Sequence, residues 1–562
     1  MLVMLGHSRR GGRHDHTGRR RRRPADTAAD PDPGLRRAGC LGREADRLPG
    51  LQRRHRLPEK RGENYIYEGL ILRLLKSDWE YKDATNVVAY YGSEQRDQEL
   101  PQDLEALQRF FAERLVLDEG VRRSIERTTS RVRNTVWVFR YYDLDDRRFP
   151  LYGAALVRLI GFIRELASDR EEAATGEPPK VNIIAHSMGG LIVREAVQAT
   201  YPKLYGDKRA AADHINKIVT LGTPHQGISF QLLREWMGPD AQEEIERFNP
   251  DFQADETNAA SYRRFQQHFP LERLLTVVGT NYRTYGNSMS SLANRLFSVG
   301  GEFGPNYNRS DGLVKQAYAQ IPGAPRTFVH KCHGGADSLV TSRESFEVAM
   351  RFFFGDRKAR LRLLDAEVTR GLDVFGKSEL FFGVSIKPRG VDFDLFHQTA
   401  EAENCYGPFR SRRLDDDPAF SWAGPDRLIW EGWLDSRARA AVDDRAPDLV
   451  MRLDVYVGER DSFGLGFSDN IIFRKQYYVQ AVMDGPLRLY VHTGERLLAG
   501  TVRDGDRVVP VTSEMLAQAA ERDPDNVQLC QEQAGGWTFE VKGTGFRGTF
   551  RMELETAQPE SP

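Results

Sequence analysis

The sequence predicts an α/β domain with a mostly parallel sheet and helices on both faces, followed by an all-β sandwich domain. Residues 63–357 alternate between strand-like and helical segments, which favours a parallel sheet covered by helices. From Lys358 onward, short alternating runs are separated by Gly, Asp and Pro, a pattern typical of a sandwich. The 562 residues also exceed the length of one ordinary domain.

Apolar spacing defines the elements of the first domain. A last helix over 342–354 places the domain boundary near Gly355–Lys358. Residues 229–270 interrupt the alternation and are interpreted as a lid over the site or as an ordinary surface insertion. The predicted helices are 66–76, 151–166 and 191–200, and the predicted strands are 86–91, 135–142, 181–185, 215–221, 274–278 and 326–330.

Residues 1–62 differ in composition from the rest of the chain. They contain no Phe, Trp or Tyr, many arginines and one lysine, Lys60. Such a segment buries too little apolar surface to fold, so we expect a disordered tail. A basic tail for nucleic acid or anionic lipid, and a translation from a wrong start or reading frame, are the alternatives.

Bulk properties exclude several classes of protein. With a net charge of −1, the chain as a whole has no excess of positive charge that would favour binding to nucleic acid. The sequence has no apolar run long enough for a membrane span, and the apolar start is too short for a signal peptide. The four cysteines show no paired spacing, so we expect a cytoplasmic protein without a disulfide framework or zinc site.

The stretch 181–190, Val-Asn-Ile-Ile-Ala-His-Ser-Met-Gly-Gly, predicts a nucleophile. An apolar strand runs into Ser187, and a helical pattern comes directly after it, as in a nucleophile elbow. The tight turn needs small neighbours, which Ala185 and Gly189 provide. The helix amino terminus and the N–H of Met188 would stabilise an oxyanion.

An acid and a base come after Ser187 in the chain order that this fold requires. Asp311 lies in a polar turn, and His333 lies in a Gly-rich turn after the last strand. His330, at the end of that strand, is the alternative base, and Asp337 is a poorer acid because it comes after the histidine. We expect Ser187 to attack an acyl carbon while His333 moves the proton and Asp311 orients the imidazole.

Four ordered motifs give the chain a family resemblance. Ala-His-Ser-Met-Gly-Gly, Leu-Gly-Thr-Pro-His-Gln-Gly, Ser-Asp-Gly-Leu-Val and the late His-Gly-Gly resemble lipase-like α/β-hydrolases, including bacterial lipases and proteins similar to the GPI inositol-deacylase. The resemblance covers about residues 63–357 and implies that His186 and His225 line the substrate pocket.

One family feature lies in an unexpected place. The resemblance implies an apolar strand ending in His-Gly shortly before the first helix, with a loop that supplies a second oxyanion N–H. The segment 57–62 has no such pattern, and the only candidate, 2–7, lies far upstream. Without that strand, only the Met188 N–H is left to bind the oxyanion.

The second domain resembles a C-two-type sandwich that binds calcium and phospholipid. Asp373 precedes Phe-Gly-Lys-Ser, although Glu379 replaces the usual second Asp. Asp373, Asp461 and Asp469 are candidate Ca²⁺ ligands, or simply turn aspartates. Its predicted strands are 359–364, 379–386, 428–434, 449–457, 477–482, 487–491, 537–541 and 548–554.

These observations predict a serine esterase that acts on lipid-like carboxylic esters, without a required cofactor and with possible peripheral membrane contact. The alternative is an impaired hydrolase-fold scaffold whose sandwich domain binds a membrane or a partner. Acyl transfer to an acceptor other than water is a third possibility.

Overall fold

The structure is a computed structural model of the chain. It describes residues 2–6, 65–76, 82–88, 135–140, 148–175, 179–228, 246–281, 310–335, 337–369, 378–388, 393–399, 402, 404–436, 448–461, 470–483, 485–493, 501–504, 507–510, 513–533 and 535–557.

A seven-stranded sheet in the order β2-β3-β1-β4-β5-β6-β7 forms the centre of the first domain. β4 to β7 are mutually parallel, as are β2 and β3, whereas β1 is antiparallel to both of its neighbours. Every residue of β4 and β6 is buried, as expected for strands covered on both faces. The strands are β1 (Leu2–Gly6), β2 (Lys82–Val88), β3 (Thr135–Arg140), β4 (Val181–His186), β5 (Ile215–Leu221), β6 (Leu274–Gly279) and β7 (Arg326–Val329).

Helices cover this sheet. The second helix, α2, packs on α3, and the last helix, α7, packs on α1, β5 and β6. The side chain of Ser342 caps α7 by accepting a hydrogen bond from the Ser345 N–H at 3.1 Å. The helices are α1 (Tyr65–Lys76), α2 (Phe149–Thr175), α3 (Met188–Glu195), α4 (Tyr201–Tyr205), α5 (Ala211–His214), α6 (Pro250–Ala254) and α7 (Arg343–Phe354), with a π-helical segment at Ala196–Thr200 and 3₁₀ turns at Tyr262–Gln267 and Leu271–Arg273.

β1 is a described strand within residues 1–62, the segment whose composition predicts a disordered tail. It lies between β3 and β4 and satisfies backbone groups that would otherwise be unpaired in the middle of the sheet. Leu2 pairs with Ala185 and Gly6 with Val181, so the carboxyl end of β1 lies at the edge of the sheet remote from Ser187. The rest of this segment is outside the described residues.

The second domain consists of antiparallel strands, as predicted. The strands are β8 (Arg357–Val368), β9 (Ser378–Pro388), β10 (Phe396–His397), β11 (Tyr406–Phe409), β12 (Leu428–Leu434), β13 (Leu449–Asp461), β14 (Asn470–Val482), β15 (Arg488–His492), β16 (Thr501–Asp504), β17 (Arg507–Pro510), β18 (Val527–Leu529), β19 (Gln531–Gln533), β20 (Gly536–Gly543) and β21 (Phe546–Thr556). One sheet has the order β10-β9-β13-β14-β15-β18, with β11 also paired to β9, and the other has the order β12-β8-β21-β20-β19. Phe382 and Phe473 of the first sheet contact Phe546 of the second, with ring centroids 6.1 and 5.2 Å apart. Aromatic side chains between the sheets therefore form the sandwich core.

The second domain begins at β8, which two residues, Gly355 and Asp356, separate from the end of α7. β16 and β17 form a separate hairpin, and short 3₁₀ turns lie at Leu414–Asp416 and Pro418–Ala423. The helix α8 (Ser513–Arg522) lies between β17 and β18 in the chain.

The sandwich packs against β7, the strand that leads to residue 333. The rings of Phe328 and Phe396 lie 5.3 Å apart, and the Thr327 hydroxyl donates to the carbonyl of Leu395. The two domains therefore share one apolar core beside the loop that carries His333.

Two sequence predictions fall wholly or partly outside the described residues. Asp373 and Asp469 are not described, and Asp461 ends β13 opposite Ser378, so the calcium site stays a prediction. The proposed lid is described only from residue 246. Among the described helices, none is both long enough and apolar enough to cross a membrane.

Candidate active site

Ser187 stands in a strained turn between β4 and α3. Its φ of 54° and ψ of −127° are unusual for a residue with a side chain. Two backbone bonds hold the turn: the Ser187 N–H donates to Leu221 at 2.9 Å, and the Gly190 N–H donates to the Ser187 carbonyl at 3.0 Å. The strand, turn and helix thus fix the hydroxyl as a nucleophile elbow does.

A continuous hydrogen-bonded chain joins Ser187, His333 and Asp311. The Ser187 Oγ lies 2.9 Å from Nε2 of His333, and Nδ1 of His333 lies 2.9 Å from Oδ2 of Asp311. The three residues are 4%, 3% and 1% exposed. Since an ionised carboxylate only accepts, Nδ1 carries the imidazole proton and Nε2 is left to accept from the serine hydroxyl.

The acid loop orients its own carboxylate. Oδ1 of Asp311 accepts from the N–H groups of Leu313 at 3.0 Å and Val314 at 2.7 Å. The His333 N–H donates to the Asp311 carbonyl at 2.8 Å, so the two loops are joined through backbone as well as side chains. Such bonds fix the rotamer of an acid that must orient an imidazole.

Two glycines make room for the acid and the base. A Cβ on Gly222, whose φ is +55°, would lie 2.8 Å from Oδ2 of Asp311 and 3.1 Å from Nδ1 of His333. A Cβ on Gly279 would lie 2.6 Å from the Cβ of Asp311. The backbone therefore passes directly beneath the Asp–His hydrogen bond.

Thr223 supports the nucleophile from the next strand. Its hydroxyl donates to the Ser187 carbonyl at 2.9 Å, and a Cβ on Gly190 would clash with the same hydroxyl oxygen. The Leu-Gly-Thr-Pro motif thus acts on the site through Gly222 and Thr223. The sequence interpretation missed these two roles, although the motif itself was the signal that could have pointed to them.

The alternative base and acid lie elsewhere. Nδ1 of His330 lies 3.1 Å from the Thr280 hydroxyl, and its ring is 5.9 Å from that of His397 in the sandwich. Asp337 pairs with Lys331 at 2.7 Å. The structure therefore brings His333 and Asp311 to the serine, and not His330 or Asp337.

The two predicted pocket histidines are buried. Nε2 of His186 lies 2.9 Å from the carbonyl oxygen of His333, and Nε2 of His225 lies 3.0 Å from the Thr220 hydroxyl. Burial lowers the pKa of both rings well below the usual range, aided by His333 for His186 and by Arg194 for His225. Both rings are therefore neutral at pH 7, and their contact with substrate stays a prediction.

Met188, whose N–H the sequence predicts as an oxyanion donor, begins the helix that follows Ser187. Met188 is the first residue of α3, so its N–H has no carbonyl acceptor within the helix, and the helix dipole adds positive potential. The family's second donor would come from a loop after the strand in the β1 position. Because β1 runs in the opposite direction, its carboxyl end leads away from Ser187.

The described part of the 229–270 insertion packs behind the nucleophile helix. Arg194 donates to the carbonyls of His225, at 2.8 Å, and of Ala260, and Gln198 donates to the carbonyl of Ser261 at 2.8 Å. Burial lowers the pKa of Arg194 to about 9. These buried bonds anchor the insertion to α3, and its role as a lid stays a prediction.

Comparison with family models supports the fold. Residues 109–264 match the model of the PGAP1-like alpha/beta domain. This segment contains β3, β4, β5 and the nucleophile turn. Together with the sheet order, the match supports a lipase-like α/β-hydrolase fold for the first domain, as predicted.

Comparison with solved structures gives distant similarities. The mature form of the Bacillus licheniformis lipase BlEst2 is 19% identical with a TM-score of 0.26, covering 39% of this chain and 78% of the lipase. Its propeptide form is 13% identical with a TM-score of 0.26, covering 63% and 88%. No curated protein sequence matches the chain significantly.

Proposed function

We propose that this protein is a serine hydrolase that cleaves carboxylic esters through an acyl-enzyme. The observation that supports the proposal is the hydrogen-bonded chain from Ser187 through His333 to Asp311. A hydroxyl at an elbow, an imidazole in the correct tautomer and a buried carboxylate are the parts needed for nucleophilic acyl transfer.

In the first half of the reaction, Oγ of Ser187 attacks the ester carbonyl carbon while Nε2 of His333 takes the hydroxyl proton. The carbonyl oxygen becomes an oxyanion near the Met188 N–H. The C–O bond to the alcohol then breaks, and His333 gives its proton to the leaving alkoxide. Asp311 stabilises the imidazolium without taking its proton.

In the second half, a water molecule replaces the alcohol. Nε2 of His333 takes a proton from the water as its oxygen attacks the acyl carbon. The bond to Oγ breaks, the proton returns to Ser187, and the acid leaves. The side chains of Ser187, His333 and Asp311 are buried, so little water surrounds them. The attraction between the Asp311 carboxylate and the imidazolium is therefore stronger than it would be in water.

We infer a lipid-like ester as substrate from the lipase-like character of the first domain. The second domain would bring the enzyme to a membrane surface. A cytoplasmic location agrees with the described cysteines Cys332, Cys405 and Cys530, which are buried and not joined in disulfides.

A second candidate, an impaired hydrolase-fold scaffold, rests on the direction of β1. Among the residues that the structure describes, Met188 is the one donor that the fold assigns to the oxyanion. Loss of one donor costs about 100- to 1000-fold in rate. Such an enzyme would still form an acyl-enzyme, whereas a scaffold would not.

The test is active-site labelling combined with ester hydrolysis. The purified chain is treated with a fluorophosphonate probe and assayed on p-nitrophenyl esters of increasing acyl length. We expect labelling of the wild type, none in Ser187→Ala, and at least about a 10⁴-fold loss of turnover in Ser187→Ala and His333→Ala.

His330→Ala is the matched control, because it removes a histidine three positions from the base without touching the serine. It should retain labelling and most turnover. Equal activity in all four proteins would remove the triad assignment, and absence of labelling in the wild type would favour the scaffold. Transfer of the acyl group to an added alcohol in preference to water would instead indicate an acyltransferase.

A further inference from the structure

The side chain that precedes the nucleophile reaches the backbone of the base. Nε2 of His186 lies 2.9 Å from the carbonyl oxygen of His333, and both residues are buried. The two rings are 4.9 Å apart and inclined by 41°. A contact across 147 positions of sequence thus joins the end of β4 directly to the loop of the base.

The chemistry of this contact fixes a tautomer. A backbone carbonyl only accepts hydrogen bonds, so Nε2 of His186 must carry a proton and donate it. The His333 N–H in turn donates to the Asp311 carbonyl at 2.8 Å. The base is therefore held on both sides of its own Cα, by the acid loop at its N–H and by the nucleophile strand at its carbonyl.

We propose that His186 is a positioning residue, which sets the distance between Oγ of Ser187 and Nε2 of His333 by donating from its own Nε2 to the His333 carbonyl. Because residues 186 and 187 are adjacent, one short segment carries both the attacking hydroxyl and the support for its base. The inference rests on the proposed function, because it assigns a role within that site.

Charge favours the same arrangement. His333 must become an imidazolium during each half of the reaction. A neutral donor 4.9 Å away holds the loop without repelling that cation. Burial and the nearby His333 lower the pKa of His186, which agrees with a neutral ring.

The test compares His186→Gln with His186→Met. The two side chains have similar length and volume, but Gln can donate to the His333 carbonyl and Met cannot. We expect the Met variant to lose about 10- to 100-fold in kcat with little change in KM, because a small misplacement of a catalytic group has a large effect on rate. The Gln variant should recover most of this loss.

His268 supplies the matched control. It is also buried, and its Nδ1 lies 3.2 Å from the carbonyl oxygen of Lys208, which precedes α5 and thus lies toward the opposite edge of the sheet from Ser187. His268→Gln and His268→Met should lower the melting temperature by amounts comparable to the His186 pair while leaving kcat unchanged.

If the wild type is labelled and hydrolyses the ester, equal kcat values for the two His186 variants would overturn the inference and leave the proposed function intact. If a variant does not fold, ¹⁵N NMR of the wild-type protein can show which ring nitrogen of His186 carries the proton. The inference requires the Nε2–H tautomer. An Nδ1–H tautomer there would also overturn it. A wild type without labelling or turnover would instead contradict the proposed function.

Discussion

The two halves of the central sheet, on either side of β4, are built differently. On one side, β5, β6 and β7 run parallel to β4, so their carboxyl ends meet at the edge where Ser187 stands. On the other side, β1 runs antiparallel to β4. Its first residue, Leu2, lies opposite Ala185, and its carboxyl end lies at the other edge of the sheet. The proposed triad of Ser187, His333 and Asp311 therefore needs one half of the sheet, whereas the two-donor oxyanion site that the family resemblance implies would need both halves.

The direction of a strand matters because it decides where the next loop lies. In a parallel sheet, each strand delivers its next loop to the same edge, which is how Gly222, Asp311 and His333 come together although they are far apart in sequence. An antiparallel strand can satisfy the same backbone hydrogen bonds but delivers its loop to the other edge. Stability and catalysis therefore place different demands on the same position.

The largest effect that would sharpen this comparison is expected at Gly222. In Gly222→Ala, the new Cβ would lie 2.8 Å from Oδ2 of Asp311, so the acid and base must move apart. We expect turnover to fall by about 100-fold. Steady-state hydrolysis of a soluble ester measures it.

Gly206→Ala is the control for that variant. Gly206 also has a positive φ, +70°, but apart from its chain neighbours no atom of the described residues lies within 4 Å of a Cβ built there. Both variants bear a left-handed strain of about 1 kcal/mol, so this term cancels in the comparison. Equal turnover in the two would mean that the space beneath the Asp–His bond is unimportant.

A smaller effect is expected at Thr223. Thr223→Val removes the donor to the Ser187 carbonyl, which keeps its bond from the Gly190 N–H. A net loss of about 1 kcal/mol in positioning would lower kcat about fivefold. Thr276→Val, which removes a buried hydroxyl 3.2 Å from the Pro325 carbonyl, should lower stability without lowering kcat.

The smallest effect on activity is expected on the β3 side. Trp137 is fully buried, its Nε1 donates to the Thr135 hydroxyl at 3.0 Å, and its ring meets that of Phe162 edge-on. Trp137→Phe should destabilise the fold by about 1–3 kcal/mol in urea unfolding while kcat stays within about twofold.

Phe328→Leu is the counterpart of Trp137→Phe on the other side of β4. Phe328 lies on β7, the strand that leads to His333, and contacts Phe396 of the sandwich. If the two variants lose a similar amount of stability, Phe328→Leu should lower kcat more than Trp137→Phe does. A larger catalytic loss in Trp137→Phe than in Phe328→Leu would break the distinction between the two halves.

Much of this arrangement could be read from local patterns. The elbow is visible because Ala185, Ser187 and Gly189 lie between an apolar run and a helical one. The acid and base are visible because chain order limits the choice to a few residues. Gly222 and Thr223 were visible as a motif but not in their roles, because those depend on how near β5 lies to Asp311 and Ser187.

The sequence by itself determined the α/β domain, the β-rich domain after it, the nucleophile turn and a short list of acids and bases, because periodicity and chain order are local properties. Only the tertiary structure showed that His333 and not His330 lies beside Ser187, that His186 contacts the His333 carbonyl, and that β1 is antiparallel to β4. Each of these depends on distances between residues more than a hundred positions apart, or on which way a short apolar strand enters a sheet. Apolar alternation alone is the same in both directions and carries no such information.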